Sequence, residues 1–306
     1  MFERARAGWR LARATRRMIS SDRTLFLFPL VSALFSVMFF VAYFIFLDGL
    51  FFGFYGLNGN FSQPIQPNLG SYGGAIIAIG FLLVYILLGF ISTYVMIAMY
   101  TGFRKFSEGE KIGVLESLSL AREYAGLAFK WGVFSFLILL ILRIIESRFR
   151  GVAGLVIGTA GSLAIAAATF FAIPTIYEKK VGPLAAAKES FHVIFRYFGS
   201  VFGGFAYIDL LGAGIAILGF LVLVLAFLAY PLGLFFTLIL VGAGISILVI
   251  AGVFVYTSGN IFKLILYDFV QGKGLPRGFE ADEETIRQAI KRRRGFQPSG
   301  DNLQQP

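Results

Sequence analysis

The sequence lacks cysteine and contains a single histidine, His192, and these two absences remove several kinds of chemistry. Without cysteine the chain forms no disulfide, thiol nucleophile or thiolate metal site. With one histidine it cannot form a zinc motif such as H-E-x-x-H, which needs two. It also contains no G-x-x-x-x-G-K-[ST] phosphate loop and no G-x-G-x-x-G dinucleotide fingerprint. We therefore predict no catalytic residue, no bound metal and no cofactor, and we do not expect an enzyme.

Charged residues are also scarce. They make up 14% of the chain, against about 25% in soluble domains. Hydrophobic residues make up 58%, phenylalanine occurs 36 times, and residues 49–103 carry no charge at all. This composition is typical of an integral membrane protein. The net charge of +10 does not indicate nucleic-acid binding, because the basic residues lie in segments that flank the apolar runs. The partners we predict are membrane lipids with anionic headgroups.

Six apolar runs predict an all-α membrane domain over residues 1–294. All but the third run reach the ~20 apolar residues that a bilayer requires. A short cytoplasmic helix is predicted at 282–294, where Asp282 is a plausible N-cap, and a disordered tail at 295–306. The predicted spans are 25–47, 74–100, 131–148, 151–176, 199–228 and 232–260.

A repeated segment predicts how these spans are grouped. Residues 121–131 match residues 187–197 without a gap, so that Glu123 corresponds to Glu189. A looser copy, with a basic stripe, opens the chain. Repeats of this kind indicate a fold built from similar units. We predict three units, each an interfacial amphipathic helix followed by a transmembrane hairpin, with the interfacial helices at 2–20, 113–130 and 183–198.

The interfacial helices carry basic faces that have two interpretations. They either anchor the protein to an anionic surface, at about 1 kcal/mol per basic residue, or form binding sites for anionic headgroups. In the third helix Phe191, Ile194, Phe195 and Phe198 share one apolar face, and His192 lies on the polar side, where we expect a solvated role. The predicted headgroup residues are Arg6, Arg10, Arg13, Arg17, Arg122, Lys130, Lys188 and Arg196.

The basic residues also predict orientation. Of the 27 Lys and Arg, 24 lie in segments on one side of the predicted spans. The positive-inside rule then places both termini in the cytoplasm of a cell-membrane protein. The loop at 49–73 falls outside the cell and contains a glycosylation sequon at Asn60.

Three charges fall inside predicted spans: Arg143 and Glu146 in the third, and Asp209 in the fifth. Charges at such positions are costly and are therefore candidate functional residues. The repeat places Arg143 and Asp209 at equivalent positions, so we hypothesise that they pair. The alternative is that Arg143 extends outward and pairs with Glu146, while Asp209 is satisfied locally.

Glycines four residues apart occur in two of the predicted spans, at Gly154/Gly158 and Gly199/Gly203. This spacing lets helix backbones approach closely within lipid. It indicates either packing within the chain or a seam between copies in a homo-oligomer or with another membrane protein.

The segments Trp9–Ser32, Ile173–Gly199 and Ile261–Glu280 carry a resemblance that covers nearly the whole chain. They contain WRLARA, IPTIYEKKVGPLAAAKESFHVIFRYFG and IFKLILYDFVQGKGLPRGFE, and resemble an uncharacterised family of archaeal and bacterial polytopic integral membrane proteins. More distantly, Ala186 to Ser190 is similar to the membrane domain of some glycerophosphodiester phosphodiesterases. The phosphodiesterase catalytic domain is absent from the sequence, so the resemblance implies a fold and no activity.

Two functions remain open from the sequence. The first is transport or handling of a lipid or small solute through a site between the hairpins, since internal repeats and intramembrane charges are features of transporters. The alternative is a structural or accessory scaffold that organises a complex or lipid patch and transports nothing. A transporter needs its intramembrane charge accessible to water, whereas a scaffold only needs it paired.

Overall fold

The computed structural model describes residues 2–52, 73–149 and 152–273. Within them the chain is helical and contains no strand. Asn60, the predicted helix 282–294 and the tail 295–306 lie outside the described residues. Short 3-10 helices occur at Arg23–Phe26, Ala121–Tyr124 and Tyr230–Leu232. The α-helices are α1 (Phe2–Ile19), α2 (Leu27–Phe52), α3 (Gly73–Glu108), α4 (Val114–Leu120), α5 (Ala125–Arg148), α6 (Val152–Phe170), α7 (Ala172–Lys179), α8 (Pro183–Leu228) and α9 (Leu234–Val270).

Six helical segments are long and apolar enough to cross a membrane, which confirms the predicted class and number of spans. Two of them continue beyond the predicted ends: α3 runs to Glu108 rather than to residue 100, and α9 runs to Val270 rather than to 260. Charged residues suggested those earlier ends, but these charges lie inside continuous helices. The six segments are Arg23–Gly49, Gly74–Glu108, Val114–Arg148, Gly158–Lys179, Val201–Leu228 and Leu234–Val270.

The fourth span is two helices rather than one. It breaks at Phe171, between α6 and α7. Pro174 explains the break, because proline lacks the N–H that would bond to the carbonyl of Phe170 and its ring crowds the preceding turn. Ser190 of α8 repairs the break: its hydroxyl accepts from Phe171 N–H and donates to the carbonyl of Ala167, both at 2.8 Å.

The third interfacial helix and the fifth span, predicted as separate helices, are the two helical segments of α8, which meet at a kink. Pro183 begins this helix at the first turn, where proline is favoured. The backbone leaves helical geometry only at Tyr197 (φ −116°, ψ 18°), which produces a kink next to the predicted boundary at residue 198. The second interfacial helix, predicted at 113–130, is instead α4, a 3-10 turn and the start of α5.

Buried residues concentrate at one end of the molecule, which we call the packed end. It comprises the last turns of α3, helix α7, the start of α8 and the last turns of α9, with α1 lying across α8 and α9. The opposite ends of the long helices expose apolar side chains such as Phe227 and Phe235. The sequence therefore buries its core beside its basic segments and leaves apolar surface elsewhere, as lipid contact requires.

The glycine spacings serve packing within this chain. A Cβ at Gly203 would overlap the backbone of Ala5, so glycine lets α1 and α8 touch. A Cβ at Gly158 would lie 2.7 Å from a carboxylate oxygen of Glu146, so Gly158 makes room for that side chain between α5 and α6. Of the two interpretations drawn from the sequence, these contacts favour intramolecular packing.

Candidate functional site

The last turns of α9 lie at the centre of the packed end. They contact α8, α1, α2, α3 and α7, and most residues from Thr257 to Asp268 are buried. Polar residues are unusually frequent in this buried segment, whose sequence is TSGNIFKLILYD. Buried polar groups in native proteins normally have hydrogen-bond partners, so each polar group of this segment is expected to have one.

A network of four charges joins the ends of three helices. Arg104 of α3 donates through one nitrogen to both Glu178 of α7 and Asp268 of α9, and its distance to Asp268 Oδ2 is 2.5 Å. Lys273, just beyond α9, also pairs with Glu178. The carboxylate side chains are 8% exposed for Glu178 and 3% for Asp268. Two cations and two buried anions therefore balance and fix α3, α7 and α9 to one another.

Several buried polar atoms of α3 and α9 have no hydrogen-bond partner among the described residues. They include the hydroxyls of Tyr100, Thr257 and Ser258 and the second carboxylate oxygen of Asp268, Oδ1. Tyr100 is fully buried, one turn before Arg104, and interacts electrostatically with Asp268. Thr257 and Ser258 lie about three turns before Asp268 on α9.

Other hydroxyls, in α3 and α7, show that a buried helical hydroxyl without a partner is unusual in this protein. Thr93, Thr101 and Thr175 each donate to the carbonyl four residues earlier, at 2.8, 3.1 and 2.8 Å. This back-bond is the ordinary way for a helical hydroxyl to satisfy itself. Thr257 and Ser258 do not make it, although both are buried. Within the described residues these two hydroxyls therefore have no hydrogen-bond partner.

Lys263 is a second polar feature of α9. Its ammonium lies 4.9 Å from the ring centroid of Phe170 in α6 and 5.7 Å from that of Phe205 in α8. Its one hydrogen bond is to Asn260 Oδ1, at 3.3 Å. Within the described part of the chain, Lys263 has no acidic partner.

Ion pairs surround the packed end at its rim. Glu189 of α8 accepts from Lys179 and from Gln271, each at 2.9 Å, and Glu123 accepts from Lys180 at 2.9 Å. The hydrogen bond from Lys179, aided by that from Gln271, holds the pKa of Glu189 below its usual value. These groups are partly exposed, so their contribution to stability is small.

The intramembrane charges predicted from the sequence do not form the predicted pair. Arg143, whose side chain is 83% exposed, lies 3.2 Å from Glu146, as in the alternative considered above. Asp209 is exposed on α8, and among the described residues it makes no ion pair with Arg143. Arg143 pairs with Glu146 instead, and the predicted pair is absent from the described residues.

The predicted headgroup residues all lie on the surface of the packed end. Arg13 also packs over the ring of Tyr207, at 5.9 Å. His192 is exposed, with its Nδ1 2.8 Å from the carbonyl oxygen of Lys188. The exposed residues are Arg6, Arg10, Arg13, Arg17, Arg122, Lys130, Lys188 and Arg196.

The start of α8 packs through a face other than its predicted apolar face. Phe191 and Phe195 are 40% and 66% exposed, whereas Ala186 and Ser190 are fully buried. Small side chains pack inward because the approach to α6 and α7 is close, and the phenylalanines remain outside for lipid contact.

Sequence reasoning missed the residues at the centre of the site: Arg104, Glu178, Lys263 and Asp268. Charges next to apolar runs were assigned to cytoplasmic loops. One signal was present, because apolar residues continue from Ile261 to Val270 around Lys263 and Asp268, as in a buried helix rather than a solvated tail.

Six long apolar helices around a buried polar segment define the class as a helical protein able to span a membrane several times. The chain matches no protein-family model, no curated protein and no solved structure.

Proposed function

We propose that this protein is a non-enzymatic, multi-pass protein of the cell membrane that handles a lipid or small solute. The binding site is the polar group between α3 and α9, formed by Tyr100, Thr257, Ser258 and Asp268. The observation that carries the proposal is that four buried polar atoms there have no partner among the described residues.

An unpartnered polar atom away from water costs about 1–3 kcal/mol. Several such atoms together are destabilising unless a bound molecule supplies their partners. Three are hydroxyls, which both donate and accept, and one is a carboxylate oxygen, which accepts. A small polar solute or the polar part of a lipid meets these requirements. Placed among long apolar helices, such a cluster has the character of a transport or binding site.

The proposed orientation has the packed end at the cytoplasmic surface and both termini in the cytoplasm. The exposed basic residues of α1, α5 and α8 support it, because they cluster at that end and suit an anionic inner leaflet. In this arrangement α1 and the start of α8 are amphipathic helices at the membrane interface. The solute then enters the site from the cytoplasmic side.

We further propose that the three repeat units share this architecture. Glu123 and Glu189, which correspond in the aligned segments, bind consecutive lysines at the end of α7, Lys180 and Lys179. Matching acidic residues with matching partners support a common origin for the two segments. The fused helix α8 is then an interfacial helix and a span joined through the kink at Tyr197.

A structural scaffold is the second candidate, and the network around Arg104 favours it. Its cations and carboxylates are mutually paired, and it ties three helices together, as a rigid platform needs. The exposed apolar surface of the spans would then hold a second copy or another membrane protein. This candidate leaves the free hydroxyls of Thr257 and Ser258 without a role.

Native mass spectrometry of the gently solubilised protein distinguishes the two functions. We expect one lipid or solute per chain in the wild type and its loss from the double variant Thr257→Val, Ser258→Ala. A matched control is Thr93→Val, which removes a hydroxyl that is satisfied within its own helix. A stoichiometric protein partner and no retained small molecule would favour the scaffold instead.

A further inference from the structure

The charge of Lys263 has no acidic partner among the described residues. A lysine ammonium has three N–H donors, and only one is used here, in the bond to Asn260. The nearest acidic residue on α9, Asp268, is already paired with Arg104. Two aromatic rings stabilise the cation weakly, but they accept no conventional hydrogen bond. Two donors therefore remain for a partner outside the described chain.

The depth of Lys263 suits a lipid headgroup. It precedes Asp268 by five residues, which is about 7.5 Å along a helix axis. If Asp268 and its network lie at the inner membrane surface, Lys263 lies at the boundary between headgroups and acyl chains. Basic pockets between helices at this depth bind anionic lipids.

The position can also be reached from the lipid. Lys263, Phe170 and Phe205 are all intermediate in exposure rather than fully buried. Phe202, one turn before Phe205 on α8, is 60% exposed. Exposed apolar surface for an acyl chain therefore begins one turn from the Phe205 ring that lies beside Lys263.

We infer that Lys263, Phe170 and Phe205 form a binding site for the anionic head of an amphiphile, a phosphate or a carboxylate on an apolar chain. The ammonium donates to the anion and the two rings cover the adjoining apolar segment. The inference rests on the proposed function and names the substrate class for the region of α9 next to the unpartnered hydroxyls.

The test is thermal unfolding of the full-length protein in a neutral detergent with four separate additions. These are phosphatidylglycerol, palmitate, inorganic phosphate and, as the neutral reference, phosphatidylcholine. The variants are Lys263→Met, which keeps the shape and removes the charge, and Lys263→Arg, which keeps the charge. Lys111→Met is the matched control, because it removes an exposed lysine that is not among the predicted headgroup residues. If Lys263→Met does not fold, Lys263→Gln replaces it.

We expect phosphatidylglycerol or palmitate to raise the midpoint of the wild type, of Lys263→Arg and of Lys111→Met. In Lys263→Met the same rise should need at least about tenfold more ligand, because a hydrogen-bonded ion pair is lost. A response to phosphatidylglycerol identifies a phospholipid, and a response to palmitate alone identifies a fatty acid.

Two results would overturn the inference. One is an equal response of Lys263→Met and the wild type to the anionic amphiphiles. The other is a full response to inorganic phosphate, which would show that no chain is needed. Failure of the proposed function would give a different pattern. The anionic amphiphile would still bind in a way that depends on Lys263, but native mass spectrometry would show no retained ligand that depends on Thr257 and Ser258.

Discussion

The hydroxyl of Ser190 in α8 accepts a hydrogen bond from the backbone N–H of Phe171, at the break between α6 and α7. The same hydroxyl donates to the carbonyl of Ala167 on the other side of the break, so one side chain satisfies both free backbone groups. Ser190 is fully buried. Its position determines where α8 packs against α6 and α7, and it thereby holds α7 and Glu178 beside Arg104.

Replacing Ser190 by alanine should therefore destabilise the protein. The substitution leaves a buried N–H and a buried carbonyl without partners, at about 1–3 kcal/mol. We expect that loss in the unfolding free energy measured in mixed micelles. Ser20→Ala, at an exposed serine bonded to the carbonyl of Arg17, should change stability by less than about 0.5 kcal/mol. Equal effects of the two substitutions would show that the Ser190 bridge does not stabilise the break.

Arg104→Met should be among the most destabilising single changes in the chain. It removes the cation that pairs with both Glu178 and Asp268, whose carboxylates are buried. The expected loss is about 3 kcal/mol, the low end for a broken buried pair because Arg104 is itself 27% exposed. The adjacent Lys105→Met breaks only exposed pairs and should lower the unfolding free energy far less than Arg104→Met. Similar unfolding free energies for the two variants would contradict this account of the network.

The exchange of Arg143 and Asp209 should give no rescue. Arg143→Asp places a carboxylate next to Glu146, so its folded yield should fall. Because Arg143 pairs with Glu146, adding Asp209→Arg supplies no missing partner. We expect the double variant to give no more monodisperse protein on size exclusion than the poorer single variant. Recovery of the double variant to near the wild-type yield would support the pair of Arg143 and Asp209 that was predicted from the sequence.

The proposed orientation predicts which surface positions an impermeant thiol reagent reaches in intact cells. The chain has no cysteine, so single cysteines report cleanly. Tyr230→Cys, at the exposed turn between α8 and α9, should be labelled. Ser20→Cys and Lys188→Cys, at exposed positions of the packed end, should be labelled only in inside-out vesicles. Labelling of Ser20→Cys in intact cells would show that the topology is the opposite of the proposed one.

The spans were predictable because uninterrupted apolar runs leave a helix as the only way to satisfy the backbone within lipid. The break at Phe171 was not, although Pro174 was visible in the sequence. Proline is tolerated in membrane helices when a neighbouring side chain satisfies the freed groups. At this break Ser190 bonds to the Phe171 N–H and the Ala167 carbonyl; it is distant in sequence, and only the fold brings it close.

The polar centre was not predicted because its residues lie on separate helices. Arg104, Glu178 and Asp268 each follow a long apolar run, and each alone looks like the solvated end of a span. Their mutual neutralisation appears only when α3, α7 and α9 meet. Arg143 and Asp209 were chosen instead because they interrupt apolar runs, but a residue at the surface of a span can reach outward.

The proposed function requires that the hydroxyl group of Ser258 lies in a site that admits a polar molecule. Cysteine accessibility at position 258 tests this requirement. Ser258→Cys is compared with Ser246→Cys, an exposed position twelve residues earlier on α9 that faces the lipid side of its span. Both are treated in native membranes with a small charged methanethiosulfonate, and Ser20→Cys reports full reaction. The account predicts measurable modification at Ser258→Cys and none at Ser246→Cys in the same time. A folded Ser258→Cys protein as unreactive as Ser246→Cys would contradict it.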